Sequence, residues 1–494
     1  MGTDIGKEEF DERDYARFAE RLEECLAVLA QLLNRPGFGT GPATIGAELE
    51  LFLIDRAGRP LPRNQAIRAA VADPRVTVEL DRFNLELNAS PAMLAGRPFT
   101  ALGGELNLLV DRVSDAAKDH AGRPALIGIL PTLSLADFGP GTMTDLPRYR
   151  VLDGGLRRLR QDLFRIQIAG EHPLELAAAD VALEGANSSF QVHLRVAPGD
   201  FTRTYNAVQL ATAPVLAVSG NSPTFLGHRL WEETRIAVFK QSVDDRPGHG
   251  PRRRPARTTL GTGWLRGGPL ELFTESTRLH RPLLPVLSGL GPIAGHAGEQ
   301  APPLDELRLH QGTVWRWNRA IYDPAWGGHL RIEMRALPAG PTIIDMLANA
   351  AFLVGLSLWL AARDQYWTYA VPFERADHGF YRAAQHGLSA RLSWPAGRRD
   401  QMRTVRAAKL IAELVPAARQ GLLEAGVAPE EANELLDVIS ARAASGQTGS
   451  AWQRATLAAA ERHHDRQRAL AIMLDRYLQC AATGLPVHTW PAAS

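Results

Sequence analysis

Residues 45–54 read IGAELELFLI. Ile45, Ala47, Leu49, Leu51 and Leu53 share one parity, and Glu48 and Glu50 share the other. Side chains two apart on a strand project to the same face. The stretch is therefore a strand with one apolar face and one face carrying two carboxylates about 7 Å apart. The same alternation returns three times. In VELDRFNLELN (78–88), Asn84, Glu86 and Asn88 oppose Phe83, Leu85 and Leu87, and Glu79 precedes Glu86 by seven residues. In FQVHLRV (190–196), Gln191, His193 and Arg195 alternate with Phe190, Val192, Leu194 and Val196. In HLRIEMRAL (329–337), Arg331, Glu333 and Arg335 alternate with Leu330, Ile332, Met334 and Ala336.

A sheet with one wetted face alternates in the same way. Such a face usually mixes Lys, Thr and Ser with Glu, whereas these positions hold Glu, Asn, Gln, His and Arg. Those are groups that bind hard cations and anionic ligands. Glu48 and Glu50 sit between long aliphatic residues, where an unpaired charge is costly. Carboxylates gathered on one face raise each other's pKa unless a cation intervenes. Mg²⁺ takes oxygen ligands and commonly holds phosphates as well. The four strands together predict a polar, metal-lined sheet face.

Outward from these strands, Tyr15, Phe18, Leu22, Cys25, Leu26, Leu29 and Leu33 recur at helical spacing over about 10–34, stopped by Pro36 and Gly37. A strand-rich section runs from Ile45 to about Val196, with a helix near 100–118. An apolar helix at 206–218 enters the turn Gly220-Asn221-Ser222-Pro223. Residues 245–257 and 283–304 are rich in Pro and Gly and read as surface loops. The strand at 329–336 leads into an apolar helix at 343–362. Beyond about 375 the periodicity turns helical, at 401–425, 428–445 and 450–482. Because strands and helices do not alternate regularly, the class is α+β rather than a doubly wound parallel sheet. The expected organisation is an N-terminal helix (1–40), a catalytic domain (41–375) and a helical C-terminal region (376–494) packed on it.

Composition excludes several functions. Among 494 residues, 54 acids face 55 Lys and Arg, for a net charge of +1, so no global field draws the chain to nucleic acid or to a membrane. Two cysteines, Cys25 and Cys480, make no disulfide framework, and the acidic N-terminus is no signal peptide; the expected setting is reduced and cytoplasmic. The run Met346–Ala362 contains Asn349 and falls short of the roughly 20 apolar residues of a span, so it reads as a buried helix. GTDIGK has three residues between its glycines where a P-loop needs four, and Glu8 follows Lys7 in place of Ser or Thr. LGTGWLRGG (260–268) and Arg252-Arg253-Arg254 read as loops, and His463 and His464, adjacent on a helix, cannot chelate together.

Six segments in order carry a family resemblance: GAELELFLID (46–55), ELDRFNLELN (79–88), SSFQVHLRV (188–196), GNSPTFLG (220–227), LRLHQGTVWRWNR (307–319) and HLRIEMRALPAGPTIIDMLANAAF (329–352). They resemble the type 2 glutamate–cysteine ligase family, the carboxylate–amine ligases of the glutamine synthetase-like superfamily, over about residues 40–375. The resemblance implies a curved, mainly antiparallel sheet forming a funnel, with ATP at one end, amino-acid substrates at the other and Mg²⁺ between. Glu48 and Glu50 match the family's paired strand carboxylates that hold Mg²⁺ on the ATP phosphates. Glu79 and Glu86 match the acids of the second motif, His193 a metal-ligating histidine and Glu333 the late metal-binding glutamate. Arg335 matches an arginine on the transferred phosphate, and Arg335, Glu333 and Glu50 form the implied catalytic set. Arg235, Arg148, Tyr149 and Asn221 match substrate-pocket positions. The implied reaction is an ATP-dependent ligation of L-glutamate to L-cysteine through γ-glutamyl phosphate. A ligase of the same fold with another amine, or a non-catalytic nucleotide-binding relative, are the alternatives, and self-association is left open.

Overall fold

The computed structural model describes residues 7–248, 254–289, 301–363, 366–396 and 401–491. Its strands, in chain order, are β1 (Thr44–Asp55), β2 (Val76–Val78), β3 (Asn84–Met93), β4 (Gly122–Ala125), β5 (Phe164–Ile168), β6 (Leu174–Ala178), β7 (Phe190–Val196), β8 (Thr224–Phe225), β9 (His228–Arg229), β10 (Asn318–Asp323), β11 (His329–Met334), β12 (Arg391–Pro395) and β13 (Met402–Arg406). Seven of them make one sheet in the order β10-β11-β7-β1-β3-β2, with β4 also on β1. Every pairing in it is antiparallel. The fold is thus α+β around a curved antiparallel sheet, as the alternation requires.

β1 is the spine. Its first half pairs with β7, from Ile45 opposite Leu194 to Leu49 opposite Phe190, and its last residues pair with β4. A register shift between Ile45 and Ala47 interrupts its ladder with β3. Such irregularities bend and twist a strand, here beside the first of the acidic residues. The apolar parity, Leu49, Leu51 and Leu53, is fully buried. The helix Pro98–Lys118 packs on this sheet and on the helix Ile343–Ala361.

Ile343–Ala361 is, among the described residues, the one helix long and apolar enough to cross a membrane, and 78% of that stretch is buried inside the protein. Against it lies the helix Ala407–Glu424. The two come so close that a Cβ on Gly421 would stand 2.0 Å from the Gly355 carbonyl oxygen. Arg442, 1% exposed, reaches from the helix Pro429–Ser445 to the Asp345 carboxylate at 2.7 Å and the Asn349 amide oxygen at 2.6 Å. C-terminal helices and sheet therefore share one core.

The C-terminal region departs from the expected all-helical pattern in two places. Residues 391–395 and 402–406 pair as the hairpin β12–β13. The stretch 450–482 is two helices, Gly449–Glu461 and Arg466–Ala481, because Asp465 caps a new start by accepting from the Arg468 amide at 2.9 Å. His463 and His464 accordingly lie in the connecting turn, not on a helix. The N-terminal helix forms as read, Glu12–Leu33, capped by Asp11. Cys25 and Cys480 are both free thiols. Of the basic triplet, Arg252 and Arg253 lie outside the described residues, while Arg254 pairs with Asp245.

Candidate active site

Register, not sequence proximity, assembles the acidic face. On β11, Glu333 stands opposite Arg319 of β10 on one side and His193 of β7 on the other. On β1, Glu48 is opposite Gln191 of β7 and Asn88 of β3, while Glu50 is opposite Glu86, which is opposite Thr77 of β2. Side chains directly across an antiparallel pair interact, so six strands deliver one row of polar groups. Glu48, Glu50, Glu79, Glu86, Gln191, Glu333 and Arg335 all line a cavity of about 600 Å³. That volume lies within the range of small-molecule sites.

At one end of the row the charges are matched. Glu333 is 2% exposed and takes a two-point bond from Arg319, at 2.7 and 2.9 Å, with Arg335 at 3.2 Å from the same carboxylate. Burial works against its charge, but Arg319 and Arg335 outweigh it and hold the carboxyl well below its ordinary value. Glu48 is likewise opposed by burial yet lowered to about 2 by His193. His193 Nδ1 accepts from Arg331 at 3.0 Å. Its Nε2 is buried and makes no hydrogen bond, although it lies 3.2 Å from Glu48 and 3.9 Å from Glu333. Close approach without hydrogen-bond geometry leaves a ring nitrogen and two carboxylates converging on a common point. Ligand atoms of Glu48, His193 and Glu333 all lie within 4.8 Å of one another. Two carboxylates converging beside a buried imidazole suit a divalent cation.

At the other end the charges are unmatched. Glu50 accepts from the Ser189 amide at 2.6 Å and the Gln191 side chain at 2.9 Å, but burial and the neighbouring Glu86 push it up to about 7. Glu86 receives Asn88 at 3.0 Å and Thr77 at 3.2 Å, and burial with Glu48 raises it. Burial, then Glu86, drive Glu79 well above its usual value. Low dielectric and like charge both disfavour ionisation, so oxygen-rich Glu50, Glu79 and Glu86 also fit a hard cation.

Arg148 and Tyr149 line the same cavity, on the helix Pro147–Arg160, and the Tyr149 hydroxyl donates to the Val78 carbonyl at 3.0 Å. Two expected pocket residues are elsewhere. Arg235 does not line the cavity; it is 2% exposed, bonds Glu233 at 3.1 Å and the Ala336 carbonyl, and ties the chain after β11 to the helix Arg235–Ser242. Asn221, fully buried, is consumed by the Ala339 carbonyl at 2.7 Å, the Tyr477 hydroxyl at 2.8 Å and Gln453 at 2.8 Å. These buried bonds make them braces for the segment that carries Arg335.

Sequence reading did not single out Gln191, Arg319 or Glu184. Gln191 bridges Glu50 and Arg335, and its place on the polar parity of β7 was the available signal. Arg319 is signalled only by the β10–β11 register. Glu184 sits in a one-turn helix, Ala182–Ala186, where no periodicity marks it, yet it lines the cavity.

Residues 44–259 match the family model of glutamate-cysteine ligase family 2 (GCS2). No curated protein sequence matches the chain. The fold is similar to glutamate–cysteine ligase (gshA) from Francisella tularensis in complex with AMP, at 12% identity and a TM-score of 0.55 over 89% of this chain and 89% of that one. It is also similar to a bifunctional glutathione synthetase from Pasteurella multocida, at 12% identity and a TM-score of 0.53, covering 94% of this chain and 55% of that one. The family match thus covers residues 44–259, less than half of the chain, and the two solved ligases share its fold of helices around a curved antiparallel sheet.

Proposed function

We propose that this protein is a cytoplasmic, ATP- and Mg²⁺-dependent ligase that joins L-glutamate to L-cysteine through γ-glutamyl phosphate. Family and fold support the coarser reading, an ATP-dependent carboxylate–amine ligase. The AMP bound to the Francisella tularensis enzyme supports a nucleotide in this cavity. The observation that carries the proposal is the convergence of Glu48, His193 and Glu333 beside Arg335.

In the reaction, an oxygen of the γ-carboxylate bonds to the γ-phosphorus of ATP while the bond to the β-phosphate oxygen breaks, and ADP leaves. The amine nitrogen of the second substrate then bonds to the acyl carbon. The carbon–oxygen bond to phosphate breaks, inorganic phosphate leaves, and the amine gives up a proton. Phosphoryl transfer asks a protein mainly for positioning and charge neutralisation. When bound at Glu48, Glu50, Glu79, Glu86, His193 and Glu333, Mg²⁺ supplies charge neutralisation for the phosphates. Arg335, held by Glu333 and Gln191, presents a fixed guanidinium to the transferring oxygens. Glu333 and Arg319 keep that guanidinium aimed while the charge moves.

ADP release over a panel of acids and amines tests the reading. Fastest turnover with glutamate plus cysteine is expected. Another preferred pair moves the assignment to a different acceptor within the same chemistry, and no turnover with any pair overturns the ligase.

A further inference from the structure

Two side chains of opposite charge type on the cavity wall make no hydrogen bond or ion pair with the described residues. Arg148 opens the helix Pro147–Arg160, and Glu184 lies in the short helix Ala182–Ala186; both line the cavity that holds Glu48 and Arg335. Glu184 bonds its neighbours only through its backbone, as in the Asn187 side chain donating to its carbonyl at 2.7 Å, and the Arg148 guanidinium stacks over the Tyr149 ring at 4.6 Å. Their fields nevertheless meet. Burial first, then Glu50, push the Glu184 carboxyl up to about 8, against the opposing pull of Arg335 and Arg148. Glu184 is thus a carboxyl short of counter-charge, and Arg148 a guanidinium that feels Glu79 and Glu184 but is bonded to neither.

A guanidinium and a carboxyl that needs a positive neighbour to ionise, together in one cavity, complement a dipolar ion. We propose that Arg148 and Glu184 clamp the α-carboxylate and α-ammonium of the amino-acid acyl donor, leaving its distal carboxylate to face Arg335 and the metal-ready acids. The inference rests on the ligase reading above and names how its donor is held. The chemistry is selective on both counts. Charge-assisted bonds in a site that excludes water are stronger than neutral ones. The ammonium gives Glu184 the positive neighbour it lacks, and guanidinium offers carboxylate a planar two-point match. Holding both α-groups keeps the α-carboxylate off the phosphate, so that only the distal carboxylate is presented for activation. A carboxylate that holds an ammonium must also lie outside the metal set, and Glu184 is not among the Glu48, His193 and Glu333 group.

Two analogues isolate the two arms. Glutarate is glutamate without the α-ammonium, 4-aminobutyrate is glutamate without the α-carboxylate, and each keeps the distal carboxylate. ADP release is measured with ATP, Mg²⁺ and cysteine for wild type, E184Q, R148Q and the charge-retaining R148K. A site built to pair a group rejects analogues that lack it, so wild-type kcat/KM for glutamate should exceed each analogue by roughly 100-fold. E184Q should erase at least about tenfold of the discrimination against glutarate and leave 4-aminobutyrate as it was. R148Q should do the reverse, and R148K should recover part of the loss. KM for ATP should stay within about twofold, since neither side chain is assigned to nucleotide. If either variant slows glutamate and both analogues in the same proportion, the clamp is overturned while the ligase stands. Wild type that releases no ADP with any acid overturns the ligase reading, and the clamp falls with it.

Discussion

At one end of the sheet face, Glu48 and Glu333 stand beside His193, Arg319 and Arg335, and both carboxyls are held below their ordinary values. At the other end, Glu50 pairs with Glu86 across β1 and β3, Glu79 directly follows β2, and all three carboxyls are raised. The two sets are adjacent on the same strands; Glu48 and Glu50 are two residues apart on β1. The difference teaches where the protein has neutralised its own charge and where it waits for charge from outside. The matched end is a rigid, preformed frame for Arg335. The unmatched end is a set of acids whose joint ionisation needs an added cation.

The largest effect should come from breaking the matched end. E333Q removes the carboxylate that aims Arg319 and Arg335, and kcat should fall by at least about two orders of magnitude, the scale of losing one preorganised electrostatic group. ADP release checks this; near-wild-type turnover would remove Glu333 from the site. Because Glu333 is buried with two guanidinium partners, the same change should also cost stability, on the order of 3–5 kcal/mol.

The comparison can be sharpened by stability alone. E79Q removes an acid whose ionisation burial and its neighbours oppose in the fold but not in the unfolded chain, so at neutral pH the metal-free variant should melt above wild type, whereas E333Q should melt below it. Calorimetric scans without added metal read both signs, and two shifts of the same sign would erase the distinction between the ends.

Much of this frame was legible in the chain. Period-two alternation exposed β1, β3, β7 and β11 and put Glu48, Glu50, Glu86, His193 and Glu333 on one polar parity, because a strand has only two faces. What alternation cannot give is register. Whether Glu333 meets His193 or slides past it depends on the β7–β11 pairing, and that pairing also decides that Arg331 bonds His193. Glu184 was invisible for a different reason: a single turn of helix has no period to detect. Asn221 and Arg235 lie outside the cavity lining, and sequence could not show this because a buried polar brace and a ligand-binding group use the same residue types.

pH offers a further contrast, smaller than the first two. Glu50 keeps its proton up to about 7 in the fold against 4.5 ordinarily. The folded protein therefore holds a proton that the unfolded chain has already lost. The stability this contributes is present below the ordinary value and lost as pH rises through about 7; Glu79 and Glu86 shift in the same direction. A bound cation favours the ionised form. Millimolar Mg²⁺ should therefore raise the melting temperature more at about pH 8 than at about pH 5.5. An equal gain at both pH values would show that the raised acids do not hold it.

The smallest effect on substrate should come from Arg235. Its Nε bonds Glu233 and another guanidinium nitrogen bonds the carbonyl of Ala336, the residue after Arg335. A lysine cannot make both contacts with a planar fork, so R235K should lower the melting temperature. Arg235 does not line the cavity, however, and Arg335 keeps its own partners, Glu333 and Gln191. KM for glutamate in R235K should consequently stay within about twofold of wild type, with any loss appearing in kcat. A KM raised about tenfold or more, with the melting temperature unmoved, would return Arg235 to the substrate and make the brace a ligand contact after all. The two readouts cannot both be satisfied by one role, because a side chain buried against Glu233 and a main-chain carbonyl lies outside the cavity where a substrate carboxylate would sit.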